Sequence, residues 1–118
     1  FGTIASGATR THTFTISNTG GFPAASVSGL GLASPFSFLG GTYPGTGGNC
    51  TNTINAGANC NIVIEYAPVA VAVSNDTIQI DYNDGVVLQS ALRDVTGTSV
   101  SPANITISDT DPYNYGTL

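Results

Sequence analysis

Residues 49–68 read Asn49-Cys50-Thr51-Asn52-Thr53-Ile54-Asn55-Ala56-Gly57-Ala58-Asn59-Cys60-Asn61-Ile62-Val63-Ile64-Glu65-Tyr66-Ala67-Pro68. Cys50 and Cys60 stand symmetrically about Asn55, so folding the chain back at the Gly57-bearing turn sets the two thiols opposite each other, within reach of a bond of normal geometry. They are the only two cysteines, so if they pair the connectivity is fixed. The closed loop is short, and chain entropy assigns such a loop about 3 kcal/mol, a large share of the margin of a domain this size. Zinc is the competing reading, but a structural zinc needs four ligands; this chain offers two Cys and one His, with His12 far away in sequence. Two buried free thiols are the remaining alternative. The disulfide reading puts the chain outside a reducing cytosol. After Cys60 the apolar positions alternate, with Cys60, Ile62, Ile64 and Tyr66 on one face and Pro68 closing the strand, so the whole stretch reads as a stapled hairpin.

The string from Gly48-Asn49-Cys50 through Ile54 to Pro68 resembles an immunoglobulin-like repeat of bacterial surface proteins, the choice-of-anchor D domain, related to the abnormal-spindle and hydin type. Three other stretches follow the same pattern: Phe1-Gly2-Thr3-Ile4 leading to Thr13-Phe14-Thr15-Ile16-Ser17-Asn18-Thr19-Gly20, then Thr77 to Tyr82, then Thr96-Gly97-Thr98. The likeness covers almost the whole chain, and departs from the family at Val69 to Ser74, an apolar run where the family often has a Gly-containing turn. It implies stalk, spacer or adhesive modules with no catalytic residues, in a protein secreted by a bacterium to its surface or beyond.

Composition narrows the setting. The chain has 118 residues and a net charge of -5 with only two basic residues, Arg10 and Arg93. So few cations exclude nucleic acid and anionic membrane surfaces as partners, since both need basic patches. Thr, Ser, Asn and Gly fill the polar positions, as in an extracellular all-β domain whose strand faces carry hydroxyls and amides. There is no Lys, so no internal Lys isopeptide crosslink can form. No signal peptide, membrane span or initiator Met is present, which reads as a processed or excised piece whose targeting signal lies elsewhere.

From Thr9 to Ser17 alternation is strict: His12, Phe14 and Ile16 share one face, and the spacing predicts a half-buried strand ended by Asn18-Thr19-Gly20-Gly21. His12 is expected at the rim of the core with its ring nitrogens bonded to backbone. Val27–Leu32 predicts a weaker strand broken in phase by Gly29 and Gly31. Ser34–Gly48 follows as the longest irregular segment. In it Phe36 and Phe38 plug the core, and Tyr43 is the best exposed aromatic for a ligand. Asn75-Asp76 opens a strand with Ile78, Ile80 and Tyr82 inward, and Asn83-Asp84-Gly85 is a hairpin turn. The return strand begins at Val86 and Leu88, and its apolar phase slips between Leu92 and Val95, which predicts a bulge or strand break near Arg93-Asp94.

The two ends repeat. Phe1-Gly2-Thr3-Ile4 recurs as Tyr115-Gly116-Thr117-Leu118, close to one domain length later. Ala103-Asn104-Ile105-Thr106-Ile107-Ser108 alternates like the strand that precedes this element in the family. Residues 1–100 are therefore expected to form the sandwich, and 101–118 a junction with the first strand of a following repeat, or a strand donated to a neighbour. Pro102, Ile105, Ile107 and Tyr115 are its key residues. Asp109 and Asp111 are a weak candidate for junctional calcium, because no calcium-loop spacing is present. No other cofactor is expected.

The expectation is an all-β, immunoglobulin-like antiparallel sandwich of about seven strands. Its predicted core is Phe14, Ile16, Ile62, Ile64, Ile78, Ile80 and Leu88. The expected function is structural and non-catalytic: a serial repeat or subunit of an extracellular filament or stalk, with copies of itself as partners. The alternative is an adhesive module binding a glycan or protein through the Ser34–Gly48 loop, with Phe38 and Tyr43 as contacts.

Overall fold

A computed structural model describes residues 1–109 and 112–117. Seven strands form: β1 (Thr3–Ala5), β2 (Arg10–Ser17), β3 (Ala25–Leu30), β4 (Phe36–Phe38), β5 (Asn59–Tyr66), β6 (Ala72–Asn83) and β7 (Leu88–Val100). They make two facing sheets, ordered β1-β7-β6-β3 and β2-β5-β4. All pairings are antiparallel except β1 with β7, which run parallel.

Period-two patterning decides which face each strand buries. Along β5 and β6, Ile62, Ile64, Tyr66, Ile78 and Ile80 turn inward and are buried, which closes the space between the sheets with branched and aromatic side chains. Phe36, Phe38, Val27, Ile54 and Val95 complete this core. Phe36 stacks on Tyr66 at a ring separation of 4.9 Å. Tyr66 in turn lies against Gly97, where an added Cβ would stand 2.6 Å from its ring atoms.

Several expectations change. Leu88 is exposed and outside the core, and Phe14 and Ile16 only pack against the core, half-buried. Neither a bulge nor a strand break forms near Arg93-Asp94: β6 and β7 stay in one register from Asn83↔Leu88 to Ala72↔Ser99. The apparent slip arises because Leu88 and Leu92 point outward while Ala91, Arg93 and Val95 point inward, so apolar residues mark opposite faces in the two halves. The irregularity falls instead in β3, between Ala25 and Ser28, where Ser26 has φ 52°. β6 begins at Ala72, inside the apolar run, and not at Asn75.

The segment Ser34–Gly48 is not wholly irregular, since Phe36–Phe38 is a strand on the edge of β5. Cys50 and Cys60 are bonded, with Cα atoms 4.9 Å apart. The first arm of that hairpin is not a strand; its backbone meets β5 where Asn49 N–H and Cys50 N–H donate to the Asn61 carbonyl at 3.0 and 3.2 Å. Beyond Val100 the described chain has no strand and is exposed. The Cα radius of gyration is 21.9 Å and the longest extent 87 Å, against roughly 14 Å expected for a compact chain of this length. The C-terminal segment therefore projects well away from the sandwich.

Candidate functional site

The two flanks of the sandwich are finished differently. On the β3/β4 flank, the loop after β4 continues the edge of β5: Leu39 N–H donates to the Val63 carbonyl at 3.0 Å, and Val63 N–H to the Pro44 carbonyl at 2.9 Å. Asn61 N–H donates to Asn49 Oδ1 at 2.7 Å. These bonds satisfy backbone that would otherwise be an open edge, and the disulfide fixes the end of the loop. Tyr43 packs edge-on against Phe38 at 5.9 Å and donates its hydroxyl to the Thr51 carbonyl at 3.0 Å. Both rings occupy the space above Gly29 that a Cβ would need. Tyr43 is thus half-buried, not the exposed aromatic expected, and burial raises its phenol pKa. Phe38 is buried.

The β2/β7 flank is closed only at one end. There β1 pairs with Thr98–Val100, Thr98 N–H donates to the Gly2 carbonyl at 2.9 Å, and the Phe1 amino group donates to the Thr96 carbonyl at 2.7 Å. The Phe1 ring seats 5.6 Å from Phe36 and 5.9 Å from Tyr66. Because Thr96 and Thr98 direct their backbone groups toward β1, strand alternation directs those of Asp94, Leu92 and Ser90 to the same side, where no strand of the described residues pairs with them. On the facing edge, Asn18 N–H continues the β2–β5 ladder by donating to the Ala58 carbonyl at 2.9 Å. The odd-numbered residues Thr13, Thr15 and Ser17 therefore turn their backbone groups outward.

Between these bare edges runs a groove. Its middle holds a cavity of about 440 Å³ floored by Phe14, Ile16, Ile62, Ile78, Ile80 and Ala91. A cavity of about 250 Å³ continues it past Ile16 toward Asn18 and Tyr82. One of about 390 Å³ lies at the Phe1 end, lined by Arg10, His12, Phe14, Arg93 and Asp94 among others. Both arginines of the chain and its one histidine therefore stand at the same end of an otherwise apolar groove. Arg10 Nη1 donates to the Phe1 carbonyl at 2.6 Å. His12 is exposed and lies edge-on to Phe14 at 4.7 Å; it sits at the rim as expected, held by aromatic contact instead of the backbone bonds anticipated for it.

Ile105 and Ile107, the apolar pair of the C-terminal segment, are 89% and 93% exposed. Tyr115 is exposed beside Tyr113, and Pro102 and Asp109 are exposed in the same segment. Asp111 and Leu118 lie outside the described residues. Gly116 has φ 78° and Gly2 φ 71°, so the two copies of the terminal motif share a left-handed glycine as well as a sequence. Among the described residues no three His, Cys, Asp or Glu side chains converge as a metal site, and no helix is long and apolar enough to cross a membrane.

The half-buried carboxylates Asp81 and Asp84 serve structure. Asp81 accepts from Ser90 Oγ at 2.6 Å and Gln79 Nε2 at 2.8 Å, and these bonds lower its pKa. Asp84 accepts from the Val86 and Val87 amides, both at 2.8 Å, and is lowered by them, Val87 first. A lowered pKa is the wrong direction for a carboxyl acting as general acid near neutral pH. An open groove is what the repeat at the two ends implies for a sandwich short of a strand; that β2 and β7 border it is not legible there. The signal on β7 is its inward phase, Gln89-x-Ala91-x-Arg93, which is too polar to be covered by an opposing core.

No family model matches the chain, and no curated protein matches it. Among solved structures it is similar to the ASH / PapD-like domain of human CEP192 (PapD-like domain 7), with a TM-score of 0.62 and 13% sequence identity, over 86% of this chain and 79% of that one. The fold is thus an immunoglobulin-like β-sandwich, similar to that domain.

Proposed function

We propose that this chain is a non-catalytic structural repeat or subunit of an extracellular filament or surface stalk, of the choice-of-anchor D kind, joined serially to copies of itself. One observation carries the reading: a single chain holds both an apolar groove between unpaired strand edges and a projecting segment with two fully exposed isoleucines at strand spacing. Each is a liability alone, and each is the complement of the other. When the donor is the next molecule, the contact is head to tail and does not close on itself, so the product is a filament. The disulfide fits an oxidising compartment outside the cell.

Light scattering over a concentration series tests this. The wild-type chain should form a ladder of masses, and the double variant Ile105→Asp/Ile107→Asp should remain a monomer. A wild-type chain that stays monomeric at every concentration would sink the reading.

The adhesive alternative retains one supporting feature, a shallow concavity of about 470 Å³ over Gly29, Leu32, Phe38, Thr42 and Tyr43. It predicts that Tyr43→Ala abolishes binding to a glycan or protein and leaves assembly unchanged.

A further inference from the structure

We infer that the groove between β2 and β7 takes residues 103–108 of a second copy, running parallel to β7, with Ile105 and Ile107 on its floor and Asp109 delivered to Arg10 and Arg93. The inference rests on the serial reading above and adds to it the occupant, its direction and the residues that fix both.

Shape and pattern select the segment. Ile105 and Ile107 lie two residues apart, the same spacing as Phe14 and Ile16 on one wall and Ile78 and Ile80 on the floor, so in extended conformation both reach one face. Asn104, Thr106 and Ser108 then face solvent, continuing the polar outer face that Thr13 and Thr15 give β2. The backbone of the incoming strand meets the free groups of Ser90, Leu92 and Asp94 on one side and of Thr13, Thr15 and Ser17 on the other.

Charge selects the direction. The groove's cations stand only at its Phe1 end, and the acid of the segment follows its C-terminal residue, Ser108. Running parallel to β7, which points from Leu88 toward Val100, the strand brings Asp109 out beside Arg93 and Arg10. Running antiparallel, it would leave Asp109 at the Asn18 end, where no cation lies. The parallel direction also matches β1, whose pairing with β7 is parallel, so the guest would extend a ladder already begun.

Direction in turn excludes the chain's own tail. Parallel seating starts Ala103 near Leu88, at the far end of the 13-residue strand β7, roughly 40 Å from Val100 at about 3.3 Å per residue. The link through Ser101 and Pro102 carries the chain only about 10 Å from Val100 to Ala103. The guest strand must come from another molecule.

Engineered cysteine pairs read the direction, with the native disulfide left intact. Ser108→Cys combined with Asp94→Cys should oxidise to covalent dimers and higher species, whereas Ser108→Cys with Leu88→Cys should not. All three positions are exposed, so the changes spare the core. Crosslinking through Leu88→Cys would overturn the parallel direction, and if it produced no mass increase it would identify the chain's own tail as the guest. A wild-type protein that assembles while neither pair crosslinks would overturn the groove as the site and leave serial joining standing; a wild type that never assembles would remove both. As a second reading, Arg93→Gln should weaken assembly up to about fivefold at low salt, the range of a single partly exposed ion pair, and the difference should fade at high salt. Equal assembly of Arg93→Gln and wild type at low salt would overturn the charge pairing.

Discussion

The two flanks of this sandwich solve the same problem in opposite ways. Every sheet edge exposes backbone groups that need partners. On the β3/β4 flank a glycine-rich loop supplies them, carried on β5 by Val63 and Asn61, roofed by Phe38 and Tyr43, and stapled by Cys50–Cys60. On the β2/β7 flank only the three residues of β1 and the ring of Phe1 are present, and the rest is left open. The difference teaches that the disulfide serves closure of one edge, while the other is left open. An edge that is bare, apolar and bordered by charge at one end fits a joint better than an unfinished core.

That contrast can be broken by truncating equivalent side chains on each flank. Phe38→Ala, on the sealed side, should cost about 3–5 kcal/mol in a urea melt, the range for emptying a buried aromatic site. Removing the staple by Cys50→Ser/Cys60→Ser should cost about 3 kcal/mol, and hydrogen exchange should rise first in residues 39–50. If the double serine variant melts like wild type, the loop is held by its backbone bonds alone. Gly97→Ala should cost about 1–3 kcal/mol, because its methyl meets the ring of Tyr66, which is itself fully buried. Phe14→Ala, on the open side, should cost the monomer only about 1 kcal/mol, since its ring already meets solvent. The same change should weaken assembly far more than it weakens folding; comparable losses in both would mean that nothing docks in the groove.

What was legible in the sequence follows the same division. Alternation located β2, β5 and β6 because each has one face against the core and one against water, as at His12-Phe14-Ile16 and Ile62-Ile64-Tyr66. The cysteine pair was legible from its symmetry about the Asn55 turn. β4 escaped because three residues, Phe36–Phe38, are too few to show a period, and they sit among Gly and Pro that mark loops. The exposed Tyr43 was misplaced for a related reason: its hydroxyl partner, the Thr51 carbonyl, lies in another part of the loop that local sequence does not bring near. β7 misled most. Pattern reading assumes that leucines point inward, and Leu88 and Leu92 point out because the space beneath this half of the strand is an open groove, lined by Ala91 and Arg93. A groove left open contradicts the pattern of a closed core, and on β7 that contradiction is its trace in sequence.

The weakest expected effect concerns the tip that leads into this open strand. Asp84 accepts from the backbone amides of Val86 and Val87 and from the side-chain Nε2 of Gln89; Asp81, three residues earlier, accepts from Ser90 across the hairpin. Both carboxyls are lowered in the folded protein, so their contribution is fully present above the ordinary carboxylate value of about 4 and is lost as pH falls through the lowered folded values. Among the described residues the β7 segment from Leu88 to Asp94 has β6 as its sole strand partner, so acid should loosen this segment before the sealed flank. Amide exchange from pH 5 downward is the measurement. Protection at Val86–Ala91 should fall at acid pH, after correction for intrinsic rates, while that at Ile62–Tyr66 holds. Asp84→Asn should reproduce the loss at neutral pH and remove most of its pH dependence. If β5 and β7 lose protection together, the hairpin is not an independent unit, and the open flank is braced by something other than its acid caps.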